Sequence, residues 1–299
     1  MVYDHCIKGD KTPHHPEKRQ YIEYQMGNLP LILSVPHGGM MPHPDIPDRT
    51  SNNLMAEHPT PNAHKNVKVV NLADLFTIEM AIIIADTIEE IVGKRPHLII
   101  CHLRRTKIDI NRDIVAATHN NPLAKAYYHD YHSAIRRAKA VIGHRGLLFD
   151  IHGQAHMQNS TEIGYLVSKA ALNDQNYDAF DTSIRALAKH SGLTAQELVV
   201  GHESFGAFLE AEGYRCVPSP RQPSPGMEKY FRGGYITRQH GSMSEGHVDA
   251  IQLEIPKELR QDGGPVVLAK FAKSLGCAIV KFFQRHYERP EDGHLSSSV

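Results

Sequence analysis

Two apolar runs in the chain end in the same dipeptide. Leu31-Ile32-Leu33-Ser34-Val35 passes through Pro36 into His37-Gly38-Gly39, and Leu147-Leu148-Phe149-Asp150-Ile151 passes into His152-Gly153. Short apolar runs bounded by glycine read as buried strands of a parallel sheet, whose ligands gather outside the carboxyl ends of the strands. Each run therefore carries a histidine to the place where a site forms, and the glycine after it is expected to let a bound group approach the backbone. Pro96–Leu103 and Glu162–Ser168 read as further strands. A fifth run, Asp249-Ala250-Ile251-Gln252-Leu253-Glu254-Ile255, holds a glutamate in a strand-like stretch. A buried carboxylate is costly unless it is paired or lies near a metal.

Helical spacing begins just after Asp74, where Phe76, Met80, Ile83, Ile84, Ile88 and Ile91 recur over Leu75–Ile91. Asp74 thus sits where a carboxylate caps free backbone N–H groups. Further helices are expected over Pro122–Ala140, Asp178–His190 and Ala195–Val200, with a helical turn at Phe205–Leu209. Within the first of these, Tyr127, His129, Tyr131 and His132 fall on more than one face and read as packing and surface groups. Val266–Tyr287 is a long amphipathic helix that turns Leu268, Phe271, Leu275, Ile279, Phe282 and Phe283 to the sheet. The proline-rich stretches Pro42–Arg49 and Pro218–Gly226 read as rigid loops, the first at the site entrance. Strands alternating with helices imply an α/β fold, a three-layer αβα sandwich around a mixed, mainly parallel sheet.

Composition narrows this picture. The chain has 299 residues without a linker or repeat, which implies one domain over residues 29–288, an extension at 1–28 and a polar tail at 289–299. Lys+Arg and Asp+Glu both number 33, so there is no broad footprint for nucleic acid or an anionic membrane. No apolar stretch approaches the ~20 residues that span a bilayer. Cys6, Cys101, Cys216 and Cys277 include no CxxC pair, against both a disulfide framework and a cysteine zinc site. With a polar amino terminus, this fits a reducing, cytoplasmic compartment. The pattern fixes no oligomeric state. The chain has 21 histidines, so only strand-end context singles out His37 and His152. With the inward Glu254, they point to a metal-dependent hydrolase.

Six blocks in order, Ser34–Gly39, Asp74–Ala81, Ile108–Arg112, Phe149–Gly153, Gly233–Arg238 and Ile251–Glu254, resemble the N-formylglutamate amidohydrolase family. The resemblance spans about residues 30–285. It implies a fold similar to the zinc carboxypeptidases and to the succinylglutamate desuccinylase and aspartoacylase enzymes, which bind zinc through His-x-x-Glu and a later histidine. Here the residue three after His37 is Met40, so the carboxylate ligand comes from elsewhere. Asp74 is the first candidate and Glu79 the second, with Asp74 as a plain N-cap the alternative.

What the resemblance implies is one zinc ion on His37, Asp74 and His152, activating a water to cleave an N-acyl acidic amino acid, a small-molecule substrate like N-formyl-L-glutamate. Glu254 is then the general base, or alternatively a structural carboxylate paired with an arginine. Asn111 and Arg112 match the pair that holds a substrate carboxylate in the related carboxypeptidases, and Arg238 and Arg105 are candidates for a second carboxylate. Tyr235 either donates to an oxyanion or packs. Asp150 shares a strand face with His152 and either orients it or faces a helix terminus. Two other readings stay open: a peptidase or amidase for a larger substrate, and a catalytically idle relative used for binding or structure.

Overall fold

A computed structural model describes residues 21–50, 69–244 and 246–288. The expected tail, most of the expected extension and Cys6 lie outside them. The strands are β1 Ile22–Gln25, β2 Leu31–Val35, β3 His97–Cys101, β4 Gly146–Gln154, β5 Thr161–Gly164, β6 Cys216–Val217 and β7 Val248–Pro256. They form one seven-stranded sheet in the order β1-β3-β2-β4-β7-β5-β6. The pairs β2–β3, β2–β4, β4–β7 and β5–β6 are parallel, whereas β1–β3 and β5–β7 are antiparallel. The sheet is therefore mixed and mainly parallel. Its first strand falls inside the stretch read from sequence as an extension, because the polar Glu23 and Gln25 of this edge strand hide it from an apolar search.

The helices are α1 Thr77–Val92, α2 Ile114–Thr118, α3 Pro122–Ile142, α4 Lys169–Asp174, α5 Arg185–Ser191, α6 Ala195–Val200, α7 Phe205–Ala211, α8 Tyr235–His240 and α9 Gly264–His286. Side chains alternate across a strand, and the two sheet faces divide accordingly. Leu31, Leu33, Leu147, Phe149, Ile151, Ile251 and Leu253 pack with α1 and α9, including all six α9 residues expected to face the sheet. Ile32, Ile99, Leu148 and Ala250 pack against Tyr127, Tyr131 and Ile135 of α3. The helix expected over Asp178–His190 is broken. Ser183 donates its N–H to Tyr165 and accepts from Ala250 N–H, so sheet-type bonds displace helical ones there.

On the α3 face, each central strand turns from apolar to polar towards its carboxyl end. Ile32 is followed by Ser34, Leu148 by Asp150 and His152, and Ala250 by Gln252 and Glu254. The register aligns these positions, Ser34 with Asp150, Asp150 with Gln252, and His152 with Glu254. A block of buried polar groups thus forms at one edge of an otherwise apolar sheet face.

Candidate metal centre

Three elements deliver the central atoms. His37 follows β2, His152 lies on β4, and Asp74 precedes α1. Their side chains are buried and converge, with His37 Nδ1 3.2 Å from His152 Nδ1. Asp74 Oδ2 lies 3.2 Å from His152 Nδ1 and 3.4 Å from His37 Nδ1. Atoms bonded to one zinc ion at 2.0–2.2 Å in tetrahedral directions stand roughly 3.3–3.5 Å apart. The triangle has nearly that size, and the three residues form a buried group able to hold a metal ion.

The outer nitrogens point the same way. His37 Nε2 is 2.7 Å from Asp109 Oδ1, and His152 Nε2 is 2.8 Å from Asp150 Oδ2. A metal-binding imidazole is characteristically fixed by such a carboxylate, which holds the tautomer and ring and raises ligand basicity. Ser34 Oγ donates to Asp150 Oδ1 at 2.8 Å and also meets Tyr131 Oη at 2.8 Å. Asp109 accepts from Arg105 Nε at 3.1 Å and from its neighbour Asn111 N–H at 3.2 Å.

Electrostatics follow from this packing. Burial alone would raise the Asp74 pKa, but hydrogen bonds and charge from His152 and His37 hold it far below the ordinary range. Burial opposes ionisation of Asp109 too, and His37, Arg105 and Arg49 outweigh it. His152 is disfavoured as a cation by burial, yet Asp150 and Asp74 raise its pKa well above normal. Glu254 is pushed up to about 8, by burial first and then by Asp74 and Glu162, against the pull of His152 and Arg105. Its Oε1 accepts from Gln252 Nε2 at 3.0 Å.

Asp74 is no cap. The N-cap of α1 is Phe76, in the left-handed region with no side-chain cap bond, and the Asp74 carboxylate faces the histidines. Glu79 is exposed on α1 and is absent from the convergent group. The glycines also differ from expectation. A Cβ on Gly153 would lie 2.1 Å from the Arg260 guanidinium carbon, one on Gly38 would meet Thr77 Oγ1 at 2.5 Å, and one on Gly39 would meet the His102 backbone at 2.2 Å. These glycines make room for the protein itself.

The substrate-side residues are spread more widely. Asn111 lies against His152, with Nδ2 3.2 Å from Nε2. Its oxygen accepts from Ile236 N–H at 2.8 Å and its nitrogen donates to Gln252 Oε1 at 3.3 Å. Arg105 is 11% exposed and is tied to Asp109 at 3.1 Å and Asp74 at 3.5 Å. Arg112 is 46% exposed, with Nε 3.7 Å from Asp109 Oδ2. Arg238 is exposed on α8. Tyr235 packs its ring on Tyr128 and His132.

Sequence reasoning passed over Asp109, Arg49 and Arg260. Asp109 stands between Ile108 and Ile110, a carboxylate in an apolar alternation that could have drawn notice. Arg49, buried, donates to the Arg105 carbonyl at 2.7 Å and lies 3.7 Å from Asp109. Arg260 donates to the Ile255, Leu75 and Gln154 carbonyls. It thereby joins the ends of β7 and β4 to the segment carrying Asp74.

The fold and site together define an α/β protein with a buried His–Asp–His group suited to a metal ion. No protein-family model matches the chain, and no curated protein matches it. Its fold is that of an N-formylglutamate amidohydrolase structure from Ralstonia eutropha JMP134, with 11% identity, a TM-score of 0.50, and coverage of 89% of this chain and 98% of that one. It also aligns with the structure of an Agrobacterium tumefaciens gene product, at 12% identity and a TM-score of 0.44, over 89% of this chain and 97% of that one. The expected resemblance holds at the level of the fold.

Proposed function

We propose that the protein is a zinc-dependent amidohydrolase that cleaves an N-acylated acidic amino acid such as N-formyl-L-glutamate. The observation that carries this reading is the triangle of His37 Nδ1, Asp74 Oδ2 and His152 Nδ1, of tetrahedral size and backed by Asp109 and Asp150. Zinc held by three protein ligands lowers the pKa of water in its open position towards ~7 and polarises an amide carbonyl. Glu254, in register with His152, takes the proton of the attacking water and passes it to the departing amine. Burial makes this carboxylate a better proton acceptor than a solvated one.

Arg112 is half exposed at the edge of the centre and takes a substrate carboxylate bidentately, with Arg238 the candidate for a second. Arg105 and Asn111 are already engaged within the protein. This supports a part for them in holding Asp109, Asp74 and the His152 surroundings in place. The packing of Tyr235 on Tyr128 and His132 supports a structural part more than an oxyanion contact.

The test joins metal content to hydrolysis of a panel of N-acyl amino acids. Hydrolysis of N-formyl-L-glutamate, abolished by chelation and restored by zinc, is the expected result. Glu254→Gln should keep its metal and lose kcat on the order of 10²-fold or more, with little change in KM. Near-normal kcat in that variant would remove Glu254 as the base. Full activity in chelator, or no hydrolysis of any N-acyl amino acid by the zinc-loaded protein, would contradict the reading as a whole.

A further inference from the structure

A concave site lies between α3 and α8, its tyrosine end beside Arg112, whose carbonyl accepts from Tyr128 Oη at 3.1 Å. It is a cavity of about 610 Å³, lined among others by Tyr128, His129, His132, Arg136, Lys139 and Tyr235, within the range of small-molecule sites. Residues 129, 132, 136 and 139 recur at helical spacing, so one stripe of α3 supplies most of one wall. Lys139 lies near the end of α3, just before β4 begins at Gly146, whereas His152 sits six residues further along that strand. Lys139 is drawn by the charge of Asp249, which pairs with Leu147 on β4, so at about 3.3 Å per residue the lysine end of the cavity lies on the order of 16 Å from His152 along the strand.

The lining contains two permanent cations and no carboxylate. Among the described residues, neither Arg136 nor Lys139 forms an ion pair. Arg136 donates to Ser133 Oγ at 2.7 Å, and Lys139 donates to the His240 carbonyl at 2.7 Å. The acids that act on this region from a distance are committed elsewhere. Asp113 caps α2, Asp249 is buried against Ser242 and Tyr287, and Asp150, which acts on His132 from below the floor, is bound to Ser34 and His152. The floor is neutral and fully bonded on its inner side. His132 Nε2 faces the Ile110 carbonyl at 3.2 Å and so donates, which leaves its Nδ1 to accept from His240 Nε2 at 2.8 Å. Tyr128 and Tyr235 present rings to the same space.

We propose that this cavity binds a small organic anion, its carboxylate or phosphate group on Arg136 and Lys139 and an unsaturated or ring body against Tyr128 and Tyr235. A half-buried lysine beside an exposed arginine, both facing an open cavity whose lining holds no carboxylate, favours an anion more than two fully solvated cations do, and tyrosine rings offer a planar apolar surface beside them. The proposal does not depend on the activity assigned to the metal centre.

Titration calorimetry of the full chain with inorganic phosphate, succinate and phenyl phosphate tests it, with the protein as purified and after chelation. At least one probe should bind saturably in both states, with phenyl phosphate tighter than inorganic phosphate if the rings take part. Arg136→Ala with Lys139→Ala should weaken that binding at least tenfold and leave zinc content unchanged. Because Lys139 also holds the end of α8, the exposed Arg136→Glu serves as a second variant and should weaken binding comparably. Absence of saturable binding by all three probes overturns the proposal, as does equal binding by the Arg136→Glu variant. Preference for succinate or for the phosphates assigns the anionic group.

Discussion

His37 and His152 each expose one ring nitrogen to a common point and bury the other against a carboxylate, so the centre is a matter of two imidazole–carboxylate pairs as much as of three ligands. An aspartate behind a ligating histidine fixes the tautomer and strengthens the donor, and its loss characteristically costs about 10–100-fold in metal affinity. Asp109→Asn and Asp150→Asn are each expected to weaken zinc binding by that order. Asp113→Asn, which alters only the cap of α2, should leave it unchanged. Competition titration with a chromogenic chelator measures all three, and wild-type affinity in both of the first two variants would show that the carboxylates do not support the ligands. Asp109 was the harder residue to read from sequence. Its neighbours in the chain are isoleucines, and of its partners only Arg105 is close in sequence, whereas His37 and Arg49 arrive from the stretch after β2.

At the scale of elements, the central strands were legible because their period-two pattern carries both the core and the site. Leu148, Asp150 and His152 lie on one face of β4, and Ala250, Gln252 and Glu254 on the matching face of β7, as the alternation alone implies. What the chain could not disclose locally was why glycine follows the histidines. Gly153 is small because the Arg260 guanidinium occupies the volume a side chain would need, and that arginine comes from beyond β7. Gly153→Ala should therefore destabilise the protein by about 1–3 kcal/mol through overpacking. The penalty should shrink in an Arg260→Ala background, since residues in contact couple in a double-mutant cycle. Urea unfolding of the four proteins reads this directly, and equal penalties in both backgrounds would mean that the contact is not what excludes a side chain.

For the whole molecule, the layers and the mainly parallel sheet follow from the strand–helix alternation, while the edges do not. β1 is polar and β6 has two residues, so both owe their strand form to neighbours already in place. Stability against acid is another property of the assembled molecule. Burial drives the His132 pKa down to about 4, against the pull of its bond to the Ile110 carbonyl, and burial lowers that of its stacked neighbour His240 as well. The unfolded chain therefore takes up these protons first. Stability is fully present above the unfolded value near 6.5 and is lost as pH falls from there towards 4, by on the order of 3 kcal/mol for His132. Urea unfolding between pH 7.5 and 4.5 in chelator should show that slope, reduced in His132→Gln; the same slope in the variant would place the acid sensitivity elsewhere.

The central claim is that His37, Asp74 and His152 form a metal centre, and the most direct measurement is a crystal structure of the zinc-loaded protein with anomalous data collected at the zinc edge. The expected result is a single anomalous peak about 2.0–2.1 Å from both Nδ1 atoms and about 2.0–2.2 Å from the Asp74 carboxylate. A protein saturated with zinc that carries no peak between these residues, its two rings bonded directly to Asp74 instead, would contradict it.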